Sequence, residues 1–169
     1  MTEVTIRAAT RADLPRLTEI YNHYVINTPI TFDVAPFAAE GRAAWFDEHA
    51  GSGRHRLLVA REGDLLVGYA SSGRFRAKPA YDSTVESSIY CAPEATGRGI
   101  GTRLYTALFD AIANEDINRI VAGVTLPNDA SVALHQRLGF RRIGAYSEVG
   151  RKFGRYWDVA WFERPLRVT

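Results

Sequence analysis

Several things are scarce in this chain, and each scarcity closes off a class of function. There is one cysteine, Cys91, so no disulfide can form within the chain. The four histidines, His23, His49, His55 and His135, share no metal-ligand spacing with one another or with Cys91, and no metal is expected. No apolar run approaches the roughly 20 residues that span a bilayer, so no membrane association is expected. The opening stretch "MTEVTIRAATRADLP" lacks the basic start and apolar core of a secretory signal, which points to a cytoplasmic setting. Charge is also nearly balanced. A net charge of +2 with 19 acidic residues gives no field for a nucleic acid. Lysine is almost missing: of the 21 basic residues only Lys78 and Lys152 are lysines. Arginine favours fixed, bidentate contacts with carboxylates or phosphates, so a small anionic ligand fits better than DNA.

The chain does contain the makings of one mixed α/β domain over residues 1–169, with neither repeat nor low-complexity linker. "VTIRAAT" alternates as a strand, and Thr10 with Asp13 reads as a capping-box variant. The helix it opens carries Leu14, Leu17, Tyr21, Tyr24 and Val25 on one face. "FAAEGRAAWFDEHA" predicts a shorter helix, and two strands flank the turn Glu62-Gly63-Asp64. "RAKPAYDS" is a loop. "TVESSIYCAP" is a β-branched and aromatic strand that runs into a helix with Leu104, Leu108 and Ile112 on its apolar face. "RIVAGVTL" is a strand. "NDASVALHQRLGF" is a helix that Asn128 or Asp129 can cap and Gly139 can stop. Two strands, "RRIGAYSEVG" and "YWDVAWFERPL", close the chain around "RKFG".

Between the fourth of these strands and the long helix stands "PEATGRGIGTRLY", with glycines at 97, 99 and 101. A helix that follows directly on a glycine loop offers unpaired N–H groups and the positive end of its dipole, an anion site made without charged side chains. No Gly-Lys-Ser/Thr follows, and Leu104 occupies the place of the third glycine of a dinucleotide fingerprint, so neither ATP nor NAD is indicated. A plain packing turn is the competing reading of the glycines alone.

In its wider context the loop resembles that of the GNAT family of N-acetyltransferases. The family's Gln/Arg-x-x-Gly-x-Gly/Ala is matched by Thr96 to Gly101, with Thr96 in the Gln/Arg place, and its second pattern by Asn128, His135 and Gly139-Phe140. The likeness narrows to phosphinothricin and methionine sulfoximine acetyltransferases through "IYNHYV", "TFD", "AYDSTVESSIY", "GIGTRLYTAL", "LPNDASVALHQRLGF" and "KFGRYWDV". It implies a central mixed, mostly antiparallel, twisted sheet of about seven strands with about four helices, and acetyl-CoA in a crevice between splayed strands. It also implies N-acetylation of the α-amine of a small amino acid analogue by a homodimer. A peptide N-terminus or a polyamine as acceptor, and a non-catalytic acyl-CoA-binding module, stand as alternatives.

The resemblance also distributes roles. Glu86 is the candidate base, since an ammonium must lose a proton before its nitrogen can attack; a solvent-facing strand glutamate is the other reading. His135 is a candidate acid or second base, or a polar surface residue. Main-chain groups at Ile89, Tyr90 and Cys91, the amides of Gly97, Arg98, Gly99, Ile100, Gly101 and Thr102, and the Asn128 side chain would hold acetyl-CoA. Cys91 has no base or cation near it in sequence, and a small core residue is expected there rather than an acyl acceptor. Arg74, Arg76, Ala77, Lys78 and Tyr81 would form the acceptor loop, with Glu86, Ser87 and Ser88 beneath it and Phe32 in the pocket wall or the core.

Overall fold

The structure is a computed structural model and describes residues 3–167. In chain order its elements are β1 (Val4–Ala8), α1 (Leu14–Asn27), α2 (Ala43–Asp47), β2 (Leu57–Glu62), β3 (Leu65–Arg74), β4 (Thr84–Cys91), α3 (Ile100–Ala111), β5 (Arg119–Thr125), α4 (Asp129–Arg137), β6 (Arg141–Lys152) and β7 (Arg155–Pro165). The seven strands form one sheet in the order β1-β2-β3-β4-β5-β7-β6, antiparallel everywhere except between β4 and β5. The expected architecture is therefore present. The "RAKPAYDS" loop contains one further turn of 3-10 helix at Pro79–Tyr81.

Local chemistry sets the helix boundaries. The Asp13 carboxylate accepts the Thr10 N–H at 2.7 Å and both nitrogens of Arg7 at 2.7 and 2.8 Å, which ties the start of α1 to β1. Leu14, Leu17, Ile20 and Val25 of α1 are buried, while Tyr21 and Tyr24 are half-buried. In α3 the residues Ile100, Leu104 and Leu108 recur every fourth position and are buried, as are Tyr105 and Phe109. Asn128 caps α4, its side-chain oxygen accepting the Ser131 N–H at 3.2 Å.

One feature of the sheet positions the site. The parallel β4–β5 ladder has three rungs, Thr84 with Arg119, Val85 with Ile120 and Glu86 with Val121. β4 continues to Cys91 and β5 to Thr125, so beyond Glu86 the two strands separate. β4 stays paired with β3 up to the rung of Cys91 with Gly68, leaving its other edge open.

Candidate active site

A cleft of about 620 Å³ opens where β4 and β5 part, running from the glycine loop to Asn128. Ala92 donates its N–H to Val67 of β3 at 2.8 Å. Alternation along the strand then turns the N–H groups of Tyr90 and Ser88 toward β3, and those of Ile89 and Cys91 into the cleft. At the loop end α3 begins at Ile100, and the N–H of Arg103 makes the first helical bond, to Gly99 O at 3.2 Å. The amides of Ile100, Gly101 and Thr102 precede that bond and lie on the cleft.

The three glycines serve two different ends. Gly97 and Gly99 have φ of +73° and +76°, the left-handed region, and an added Cβ would meet nothing within 4 Å at either. Gly101 is helical, and a Cβ there would come 3.1 Å from Leu134 Cδ2 of α4. So Gly101 sets the α3–α4 spacing, and the other two set the turn. Arg98 contributes main chain only: its guanidinium pairs with the Glu62 carboxylate, one contact at 3.1 Å, and is directed away from the cleft. Thr96 closes its own turn, its hydroxyl donating to Pro93 O at 3.0 Å.

α4 lines the opposite wall with Ala130, Ala133, Leu134 and Arg137. These positions follow an i, i+3, i+4, i+7 stripe that was legible in the sequence, yet Arg137 was not anticipated as a cation at the cleft. Asn128 lies on the same wall. Its oxygen is used as the cap, and its amide nitrogen has no hydrogen bond among the described residues.

At the strand divergence the cleft narrows to a gap of about 60 Å³ lined by Glu86, Ser88, Tyr105, Asn128 and His135. Burial raises the Glu86 carboxyl above its ordinary value, and the Arg76 charge opposes that rise. His135 is only 2% exposed. Its Nδ1 lies 2.7 Å from Ser131 O and its Nε2 3.2 Å from the Tyr105 hydroxyl. The carbonyl can only accept, so Nδ1 carries the proton and Nε2 accepts from Tyr105. Burial lowers the His135 pKa, with the Ser131 hydrogen bond acting the other way, and favours this neutral form. Tyr105, unassigned by sequence reasoning, thus lines the gap together with His135, to whose Nε2 it donates. Ser87 sits beside it without a well-formed hydrogen bond of its own.

Cys91 lies on the cleft with a thiol that burial pushes up to about 11, and its carbonyl accepts the Tyr24 hydroxyl at 2.5 Å. A thiol so protonated is a poor nucleophile.

The acceptor residues are only partly gathered. Arg76 acts on Glu86 and lies over the rings of Phe75 and Tyr81 at 4.8 and 5.9 Å. Arg74 goes elsewhere: it pairs with Val85, so its side chain leaves the sheet on the face opposite Glu86, where it acts on His55. Ala77 and Lys78 are exposed and line none of these cavities, and Tyr81 packs edge-on against Phe75. Phe32 packs under β6, where a Cβ at Gly150 would overlap its ring at 2.1 Å. The neighbouring Thr31 carbonyl accepts the buried Lys152 ammonium at 2.8 Å.

The chain is similar to known proteins along nearly its whole length. Residues 6–161 match the family model described as an acetyltransferase (GNAT) domain. The chain is 55% identical over 166 residues to phosphinothricin N-acetyltransferase of Streptomyces coelicolor, covering 97% of each chain. It is 36% identical over 165 residues to an L-methionine sulfoximine/L-methionine sulfone acetyltransferase of Pseudomonas aeruginosa, covering 98% of this chain and 96% of the relative. The solved structure of a GNAT superfamily phosphinothricin acetyltransferase from Sinorhizobium meliloti in complex with AcCoA superposes with a TM-score of 0.91 at 37% identity. That match covers 98% of this chain and 89% of the other.

Proposed function

The chain belongs to the GNAT acetyltransferase family, and from that membership we propose that it acetylates the α-amine of a small amino acid analogue of the phosphinothricin or methionine sulfoximine class, drawing on acetyl-CoA. The observation that carries the reading is the Glu86 carboxylate. It is half-buried, has no hydrogen-bond partner among the described residues, and stands where the cleft from the glycine loop reaches the parting of β4 and β5.

Acetyl-CoA supplies a thioester carbonyl open to attack by an amine. The chain's residues do the rest. The amides of Ile100, Gly101 and Thr102 and the positive end of α3 take the diphosphate, with the Arg137 guanidinium on the facing wall. The cleft-facing N–H groups of Ile89 and Cys91 take amide and thioester oxygens, the latter as negative charge develops on it. Glu86 accepts the proton that the acceptor's ammonium must lose, and its raised pKa brings it nearer to the working pH of a general base. As the C–N bond forms and the C–S bond breaks, the nitrogen's second proton passes to the departing thiolate, and the Tyr105 hydroxyl, donating to Nε2 of neutral His135, lines the gap as a relay for it.

The test is release of free thiol from acetyl-CoA by purified protein given phosphinothricin, L-methionine sulfoximine and L-methionine sulfone in turn. Turnover of at least one is expected; silence on all three sinks the assignment.

We further infer that the protein pairs with a second copy of itself in the cytoplasm. β6 is an edge strand of 12 residues, and Ile143, Tyr146 and Val149 on it, with Phe153 in the following turn and Tyr156 on β7, are each about half exposed. An apolar edge of this length invites pairing. Sedimentation equilibrium should give twice the chain mass, and a purely monomeric mass would overturn the inference.

A further inference from the structure

A second cavity, of about 230 Å³, opens on the Glu86 face of the sheet and contains a buried cation without a counter-charge. The β3–β4 register sets Tyr69 opposite Tyr90, Ser71 opposite Ser88 and Gly73 opposite Glu86, so these pairs share one face. The first two pairs floor the cavity, and Arg42 closes it from above. Arg42 is 6% exposed, and its guanidinium is clamped between the Tyr21 ring at 4.1 Å and the Trp45 ring at 3.9 Å. Its only hydrogen bond among the described residues is a long one, from Nη1 to Leu17 O at 3.5 Å, and no carboxylate there lies within 4 Å of it. The Tyr69 hydroxyl on the same cavity is buried beside the Arg42 guanidinium and has no well-formed hydrogen bond among the described residues. Asp33, at the rim, is held by the Tyr21 hydroxyl and faces the Lys152 ammonium, so its charge is already countered.

A guanidinium fixed by two rings and, beside it, a hydroxyl without a well-formed hydrogen bond, on one cavity, call for ligand oxygens. We propose that this cavity is an anion subsite in which Arg42 and Tyr69 hold the distal oxyanion of the acceptor's side chain, a phosphinate or carboxylate, while the acceptor's amine lies at Glu86. The proposal rests on the acetyl-transfer reading above. Its geometry is that of the strand: Ser88 follows Glu86 by two residues on the same face, about 7 Å along β4 at roughly 3.3 Å per residue. That is the reach of a glutamate-sized side chain. The acceptor's α-carboxylate shares a carbon with the amine and so stays near Glu86, within the influence of Arg76. Arg42 then separates acceptors by the charge at their far end.

The experiment compares phosphinothricin, with an anionic far end, and L-methionine sulfone, with an uncharged one, on the wild type, Arg42→Met and Arg42→Lys. In Arg42→Met, kcat/KM for phosphinothricin should fall about tenfold or more, chiefly through KM, as expected for loss of a charge-assisted contact. The sulfone value should change less than about threefold, and Arg42→Lys should lie between. Equal losses on both acceptors, or none on either, overturn the subsite. If the wild type turns over neither acceptor, the acetyl-transfer reading fails, and the subsite is judged by binding. Dimethylphosphinate should then change Trp45 fluorescence saturably in the wild type and not in Arg42→Met, and no change in the wild type overturns it. Should circular dichroism show Arg42→Met unfolded, Tyr69→Phe replaces it, with the same directions expected and the same outcomes decisive.

Discussion

Glu86 and Val121 form the last rung of the parallel β4–β5 ladder, and the strands part immediately beyond them. The carboxylate therefore stands at the apex of a wedge whose open end is the glycine loop. On the proposed function, a base at that apex would meet an acceptor amine from one side and a thioester from the other, which a glutamate further along either strand would not.

Replacing Glu86 by Gln keeps the shape of the apex and removes the proposed proton acceptor. The expected loss is about 10²- to 10⁴-fold in kcat, the range that general-base catalysis contributes. Affinity for coenzyme A, measured by calorimetry, should change little, because the amides at residues 100–102 are untouched. A variant that keeps kcat and loses coenzyme affinity would show Glu86 to be a binding residue.

Arg76 opposes the burial that raises the Glu86 carboxyl. Removing it in Arg76→Ala leaves burial unopposed, so the Glu86 pKa should rise further. The base is active only when ionised, so the acid limb of the kcat/KM profile should move to higher pH in the variant. A change in KM with no shift of that limb would mean that Arg76 touches the acceptor without setting the base.

Much of this was legible in sequence because it depends on spacing along one element. The strand into Pro93, the glycine turn, the apolar stripe of α3 and the Asn128 cap all follow from neighbours within about ten residues. What was missed depends on elements far apart in the chain. Arg42, at the end of the 3-10 turn before α2, carries no signal in the sequence, and its place on the cavity emerges only when Tyr21 and Trp45 close on it. Lys152 reads as a turn lysine until the Thr31 carbonyl takes its ammonium. Arg74 was misplaced for a reason that only register supplies: opposite Val85, its side chain leaves by the wrong face.

The split between the glycines gives a stability test. Gly99→Ala forces a left-handed alanine, a cost of roughly 1–2 kcal/mol, and shifts the amides that follow, so both the melting temperature and coenzyme affinity should fall. Gly101→Ala instead pushes on Leu134. Adding Leu134→Ala should then partly relieve Gly101→Ala and leave Gly99→Ala as damaged as before. If the second change rescues both or neither, the two glycines do not differ as their geometry indicates.

His135 gives the fold a pH dependence of definite sign. Buried and neutral, it has a folded pKa below the roughly 6.5 of the unfolded chain, so between the two values the unfolded state binds more protons. Its contribution to stability is complete above the unfolded value and drains away as the pH falls toward the folded one. His49 and His55 are lowered by burial as well, so the wild-type curve mixes three groups. Subtracting a His135→Gln curve isolates one, because the other two are common to both proteins. Denaturant midpoints measured from pH 7.5 down to pH 5 should fall more steeply in the wild type than in the variant. Parallel curves would mean that His135 titrates in the folded protein as it does in the unfolded chain, and that the Nε2 lone pair on Tyr105 is not held in reserve by burial.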